Sequence, residues 1–171
     1  AKRISTVMES VDELEQLPDD GKGDPSLHIA FENVSFSYLG KADNLKSISF
    51  SLKKGETLGV IGATGSGKST LLRLLMRFYD ADKGTVRIGG KDVRSYSKEE
   101  LTAMFGVVFQ NDFVYAGSLA EAIDIGRGLP REALEAATRT AQAEFIAQRE
   151  GGLDGPLFTR GANVSGGQKQ R

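Results

Sequence analysis

Apolar positions along the chain follow different spacings, and each spacing predicts a different element. Ile4, Val7, Met8, Val11 and Leu14 recur at helical spacing with charges between them, so residues 2–16 predict an amphipathic helix. Pro18 closes it, and Asp19 to Pro25 is a polar connector bearing Gly21, Gly23 and Pro25. Such a helix either packs on its own domain or arrives as a linker from an upstream one. From Leu27 the spacing tightens to near-alternation. Leu27, Ile29 and Phe31, then Val34, Phe36 and Tyr38, predict strands, and Ile48, Phe50 and Leu52 repeat the pattern. Lys53 to Glu56 reads as a turn, and Thr57 to Ile61 as the short apolar run of a buried parallel strand.

Helical spacing returns over residues 68–78, where Leu71, Leu72, Leu74, Leu75 and Phe78 form a wide apolar face. Thr85 to Ile88 predicts a strand closed by Gly89-Gly90, and Phe105 to Phe109 predicts another. Ser97 with Glu100 has the form of a capping box opening a helix. Further helices are expected near 118–124, over 130–141 with Pro130 in a first turn, and over 142–149. Residues 27–61 have antiparallel character and lead into a strand–loop–helix unit, whereas 112–150 are mostly helical. A helical block inserted in an α/β core is the simplest architecture with that order.

Composition narrows the class without deciding it. The 171 residues are 39% hydrophobic and 26% charged, as in an ordinary globular domain. The net charge of -1 gives no global field to recruit nucleic acid or an acidic membrane. No Cys and a single His, His28, leave no material for a disulfide framework or a structural zinc site. His28 reads as a strand residue. No apolar run approaches the roughly 20 residues that span a bilayer, and the N-terminus lacks a secretory pattern. The chain as given is expected to be soluble, with any membrane link made through something outside it.

The chemistry begins at Gly62-Ala63-Thr64-Gly65-Ser66-Gly67-Lys68-Ser69-Thr70, which fits G-x-x-x-x-G-K-[ST]. Gly62, Gly65 and Gly67 allow close backbone approach, and successive N–H groups form a nest for an anion. The helix starting near Lys68 aims its positive dipole end at the same point. Lys68 supplies a mobile cation for β- and γ-phosphates, and the Ser69 hydroxyl suits Mg²⁺. An apolar strand before and an amphipathic helix after complete the context of a phosphate loop. With no N-K-x-D stretch for guanine recognition, a GTPase is disfavoured.

Val164-Ser165-Gly166-Gly167-Gln168 follows about 95 residues later. It resembles the signature motif of ABC ATPases, with Val in place of the usual Leu. Ser165, Gly166 and Gly167 stand where a helix should begin, offering a hydroxyl and open N–H groups to a phosphate. Gly161-Ala162-Asn163, Arg77-Phe78-Tyr79-Asp80 and Gly84 to Gly90 also look like this family. The resemblance runs over the whole chain and has an exporter flavour. It implies an ATP-binding domain with a P-loop NTPase core, an antiparallel β subdomain and an inserted helical subdomain over about 112–171. Residues 1–25 would be the linker helix and connector from an upstream transmembrane domain.

The resemblance also assigns roles. Tyr38 would stack on adenine; Gln110 would be the glutamine that contacts Mg²⁺ or attacking water. Lys68 would act on the phosphates during hydrolysis. The phosphate loop, Ser165, Gly166, Gly167 and Gln168 would grip ATP, and Ser69 and Gln110 would hold Mg²⁺. Residues 153–161 resemble the exporter segment that touches the transmembrane part, with Thr159 where an acidic residue is frequent. Two such domains would sandwich two ATP molecules at the cytoplasmic face of the plasma (inner) membrane, with no nucleic-acid partner. The strand ending in Asp-Glu and the switch His that the family carries after the signature are not in these 171 residues. That part of the core is expected to be missing, and the chain to bind ATP without turning it over. A soluble ABC ATPase acting on nucleic acid or ribosomes, or a non-hydrolysing ATP-gated dimerisation module, are the alternatives.

Overall fold

The computed structural model describes residues 14–38, 40, 44–109 and 114–171. The chain divides into two units, one running to Phe105 and one from Gly106 to Arg171.

The first unit is built on β1 (Ile29–Phe36), β2 (Leu45–Leu52), β3 (Lys83–Ile88) and β4 (Lys91–Asp92). Their order in the sheet is β2-β1-β3-β4, all neighbours antiparallel. β1 pairs Phe31 with Phe50 of β2, and their rings stack at 4.6 Å. The other edge of β1 pairs Phe31 with Val86 of β3. The apolar residues read from the sequence reach one face because the β1–β2 register shifts between Phe31 and Val34 and again before Phe36, where Asn33 and Ser47 take left-handed φ of 52° and 49°. There they meet α1 (Lys68–Leu75) and α2 (Lys98–Met104) around Val34, Phe36, Leu45, Leu74, Val93 and Leu101. Val34 and Leu74 are completely buried.

α1 stops three residues short of the expected end. Arg77 takes a left-handed φ of 54°, Phe78 N–H donates to Arg73 O at 2.8 Å and Arg77 N–H to Leu74 O at 3.1 Å. This is a Schellman closure with Arg where Gly is usual. The Arg77 guanidinium is almost buried and bonded to Asp80, Arg94 O and Glu15 O. α2 opens with the expected capping box: Ser97 Oγ accepts from Glu100 N–H, and Glu100 accepts from Ser97 N–H. The helix expected over 2–16 falls largely outside the described residues. Its end, Leu14 to Pro18, is irregular chain, with Leu17 N–H donating to Arg94 O at 2.8 Å. Asp20 accepts two guanidinium bonds from Arg87, a β3 side chain that is almost buried and donates a third to Glu32.

Two expected strands are not formed. Thr57 to Ile61 and Phe105 to Phe109 belong to neither sheet. A parallel strand exists only through its ladder, and among the described residues no strand pairs with either segment. Their apolar side chains consequently stay open, Ile61 to 98% and Val108 to 65%. Leu58 and Val60 line one side of an apolar hollow of about 410 Å³ whose other walls are Phe31, Phe50, Leu71 and Leu72.

The second unit contains β5 (Gly117–Ser118), α3 (Leu119–Asp124), α4 (Arg131–Thr140), β6 (Pro156–Leu157) and α5 (Gly166–Gln170). β5 and β6 form a short antiparallel pair. Leu119, Leu134, Ile146, Leu153 and Leu157 make its core. Pro130 sits just before α4, where its fixed φ of -64° leads into the first turn. The helix expected over 142–149 is only a 3₁₀ turn, Glu144–Ile146. Gln142 adopts φ 51°, which breaks the helical run after Ala141. No helix among the described residues is long and apolar enough to cross a membrane.

Candidate phosphate-binding site

The loop from Gly62 to Gly67 carries the chain into α1. Ser66 N–H donates to Ala63 O at 3.2 Å, turning the loop on itself. Gly65 and Gly67 have φ of 83° and 91°, a region costly for any other residue. Gly67 is also the cap of α1, and its carbonyl accepts from Thr70 and Leu71 N–H. A side chain at Gly67 would strike Leu45 Cδ2 at 2.6 Å and Asn44 O at 2.9 Å. The first N–H groups of α1 have no partner within the helix and point out of its N-terminus, as an anion site requires.

Lys68 bends back over this loop. Its Nζ donates to Gly62 O and to Ala63 O, both at 2.7 Å. The ammonium therefore stands at the loop's mouth, held by two carbonyls that it can exchange for phosphate oxygens. Ser69 is exposed beside it, while Thr70 is buried. A nest of backbone amides, a helix N-terminus and an ammonium together suit a polyphosphate.

Tyr38 stands two residues after β1 and meets the same helix. Its hydroxyl lies 3.2 Å from Thr70 Oγ1 and accepts from Arg73 Nη1 at 2.9 Å. Phe36 and Tyr79 meet the Tyr38 ring edge-on at 4.8 and 5.1 Å. Burial pushes the Tyr38 phenol up, but the bonds with Thr70 and Arg73 outweigh it and hold the phenol below its ordinary value. The alternating pattern marks Tyr38, and Tyr79 falls in the family-like stretch Arg77 to Asp80, but no motif marks Arg73. The available signal was the three-residue spacing of Thr70 and Arg73, which places both on one helical face.

In the second unit, Ser165 caps α5 in a full capping box. Its Oγ accepts from Gln168 N–H at 3.2 Å, and Gln168 Oε1 accepts from Ser165 N–H at 2.9 Å. An accepting hydroxyl keeps its own proton to donate elsewhere. Gly166 and Gly167 have no neighbour within 4 Å of where a side chain would stand, so this helix start is open to an incoming group. The structure thus gathers Tyr38, Gly62, Thr64, Gly65, Ser66, Gly67, Lys68, Ser69 and Thr70 in the first unit, and Ser165, Gly166, Gly167 and Gln168 in the second. Gln110 lies outside the described residues.

The chain is similar to known proteins. The family described as ABC transporter matches residues 45–171, so the chain belongs to the ABC transporter family. Within it, the match falls on the ATP-binding domain of exporter-type proteins. The chain is 38% identical over 170 residues to a multidrug efflux ATP-binding/permease protein of Mycobacterium bovis, covering 96% of the chain and 14% of that protein. It is 40% identical over 147 residues to an ATP-dependent lipid A-core flippase of Vibrio vulnificus, covering 84% of the chain and 25% of that protein. Among solved structures, a bacterial Atm1-family ABC exporter with ATP bound matches with a TM-score of 0.80 and 30% identity. That match covers 98% of the chain and 30% of the exporter. The chain therefore has the fold of the P-loop ATP-binding α/β domain, and it spans a quarter or less of the length of these two curated relatives.

Proposed function

We propose that this chain binds Mg-ATP and, within a longer exporter, powers movement of a transmembrane partner through ATP-driven pairing of two such domains. The carrying observation is the Lys68 ammonium, fixed at 2.7 Å from two loop carbonyls at the start of α1. From there it can take β- and γ-phosphate oxygens while the amides of the loop hold the rest of the chain of phosphates. Ser69 would hold Mg²⁺ together with phosphate oxygens, and Gln110 would complete that shell; the metal would neutralise phosphate charge. Tyr38 would carry the adenine, at a height set by its hydroxyl bond to Thr70 on the same helix.

Ser165, Gly166 and Gly167 would close on the ATP held by a second domain, with the Ser165 proton and the open N–H groups donating to its γ-phosphate. The transmembrane partner would belong to the same longer polypeptide, as the fused ATP-binding/permease relatives suggest, placing this domain at the cytoplasmic face of the membrane. Efficient hydrolysis needs a group that orients and activates the attacking water, a part that the resemblance gives chiefly to a carboxylate after the signature. Residues 1–171 by themselves are proposed to bind ATP without that step. Phosphate release and sedimentation, measured on the chain with and without Mg-ATP, test this reading. Binding with background release is the expected result. Release above background that disappears in Lys68→Ala would overturn the proposed lack of turnover.

A further inference from the structure

We infer that Arg73 is a positioning residue for the nucleotide base, setting the Tyr38 ring so that the site prefers a nucleotide over a bare polyphosphate. The inference rests on reading Tyr38 as the base platform. Tyr38 lies past the end of β1 and the residue is 37% exposed, so the core alone does not fix its side chain. Its orientation comes from a few directed contacts. Asn44 Oδ1 accepts from Tyr38 N–H at 3.0 Å and steadies the backbone. Edge contacts with Phe36 and Tyr79 restrict the ring's tilt. The hydroxyl end is held by Arg73 at 2.9 Å and Thr70 at 3.2 Å.

The chemistry of that end is asymmetric. A guanidinium can only donate, so the phenol oxygen is the acceptor toward Arg73 and its own proton is available to Thr70 Oγ1. Arg73, Thr70, Ser69 and Lys68 all stand on α1. The base platform and the phosphate loop are thereby tied to one rigid element, which fixes the distance between base and phosphates before a ligand arrives. Preorganisation of this kind improves affinity by removing the cost of ordering the ring on binding. Without Arg73 the hydroxyl keeps a single partner, and the ring gains freedom within the limits that Phe36 and Tyr79 leave it. A tripolyphosphate, which has no base, is indifferent to that freedom.

The test compares the affinity of the whole chain for Mg-ATP with that for inorganic tripolyphosphate, by calorimetry. Arg73→Met is expected to weaken ATP about five- to ten-fold while leaving tripolyphosphate within about two-fold. Arg73→Lys, which can still donate, is expected to recover part of the loss. Tyr38→Phe keeps the ring and removes the hydroxyl. It is expected to cost about as much as Arg73→Met, with the double variant no worse than either single one. An unchanged ratio of the two affinities in Arg73→Met would overturn the inference and leave the phosphate-loop reading intact. Parallel loss of both ligands would assign Arg73 to holding α1 together, which also overturns it. If the unsubstituted chain binds neither ligand, the phosphate-loop reading falls and this inference with it.

Discussion

A methyl group added at Gly67 should cost far more than one added at Gly65, although both glycines lie in the same loop at similar φ. Placing alanine in the left-handed region costs about 1–2 kcal/mol at either site. At Gly65, with φ 83°, an added Cβ meets nothing within 4 Å, so that strain is the whole cost. At Gly67, with φ 91°, the Cβ falls 2.6 Å from Leu45 Cδ2 and 2.9 Å from Asn44 O. Neither neighbour yields easily. Leu45 is 5% exposed within the core, and Asn44 is held by its N–H to Phe36 O and by its side chain to Tyr38 N–H. Overpacking of this kind adds about 1–3 kcal/mol. Gly67→Ala is therefore expected to destabilise by about 2–5 kcal/mol and Gly65→Ala by about 1–2. Urea unfolding followed by circular dichroism measures the pair, with the slope checked for constancy. Equal destabilisation of the two variants would refute the reasoning, because it would mean the Leu45 and Asn44 contacts give way at no cost.

Three further outcomes follow from the packing and the charges. Leu74→Ala, at a position 1% exposed, is expected to cost about 2–5 kcal/mol in the same unfolding assay; a cost below 1 would contradict its place in the core. Ser165→Ala removes the side-chain half of a capping box and should weaken α5 by about 1 kcal/mol. That loss is read as faster hydrogen exchange at the Gln168 amide, and unchanged exchange would contradict the cap. The Asp20 carboxyl is held well below its usual 3.8 by the two Arg87 bonds, with help from the Lys22 amide. Its folded value is the lower one, so its stabilisation is complete above pH 3.8 and fades as pH falls below it toward the folded value. Asp20→Asn should therefore be less stable than the unsubstituted chain at neutral pH, and the gap should shrink in acid. A gap independent of pH would count against the Arg87 pairing.

What the sequence made legible was local. The alternation of Leu27 to Phe31, of Val34 to Tyr38 and of Ile48 to Leu52 marked β1 and β2, because a period of two shows which side chains share a face within each stretch; the irregularity between Phe31 and Val34 that brings both stretches of β1 to the same face was not legible. The Ser97–Glu100 pair and the Ser165 helix start were readable because a cap is satisfied by residues three apart. The glycine–lysine loop was legible because all its parts lie in one contiguous stretch, Gly62 to Thr70. Illegible were the features made by distant partners. Thr57 to Ile61 has a strand's composition, but a parallel strand is decided by its neighbours, and the described residues supply none. Arg87 sits in an apolar strand, and nothing local shows that Asp20, 67 positions away, completes it. Nothing local links Arg73 on α1 to Tyr38, 35 positions away, whose hydroxyl accepts from it. Helix ends at Arg77 and Gln142 were equally hidden, since both use left-handed φ without the glycine that would have announced it.

The central claim is that Lys68 and its loop form a polyphosphate site. It is tested most directly by calorimetric titration of Mg-ATP into the chain and into Lys68→Ala under identical conditions. Saturable one-site binding that Lys68→Ala abolishes or weakens by at least about ten-fold, the loss of a charged hydrogen-bond donor, is the result this account predicts. Equal binding by both proteins, or none by either, would contradict it.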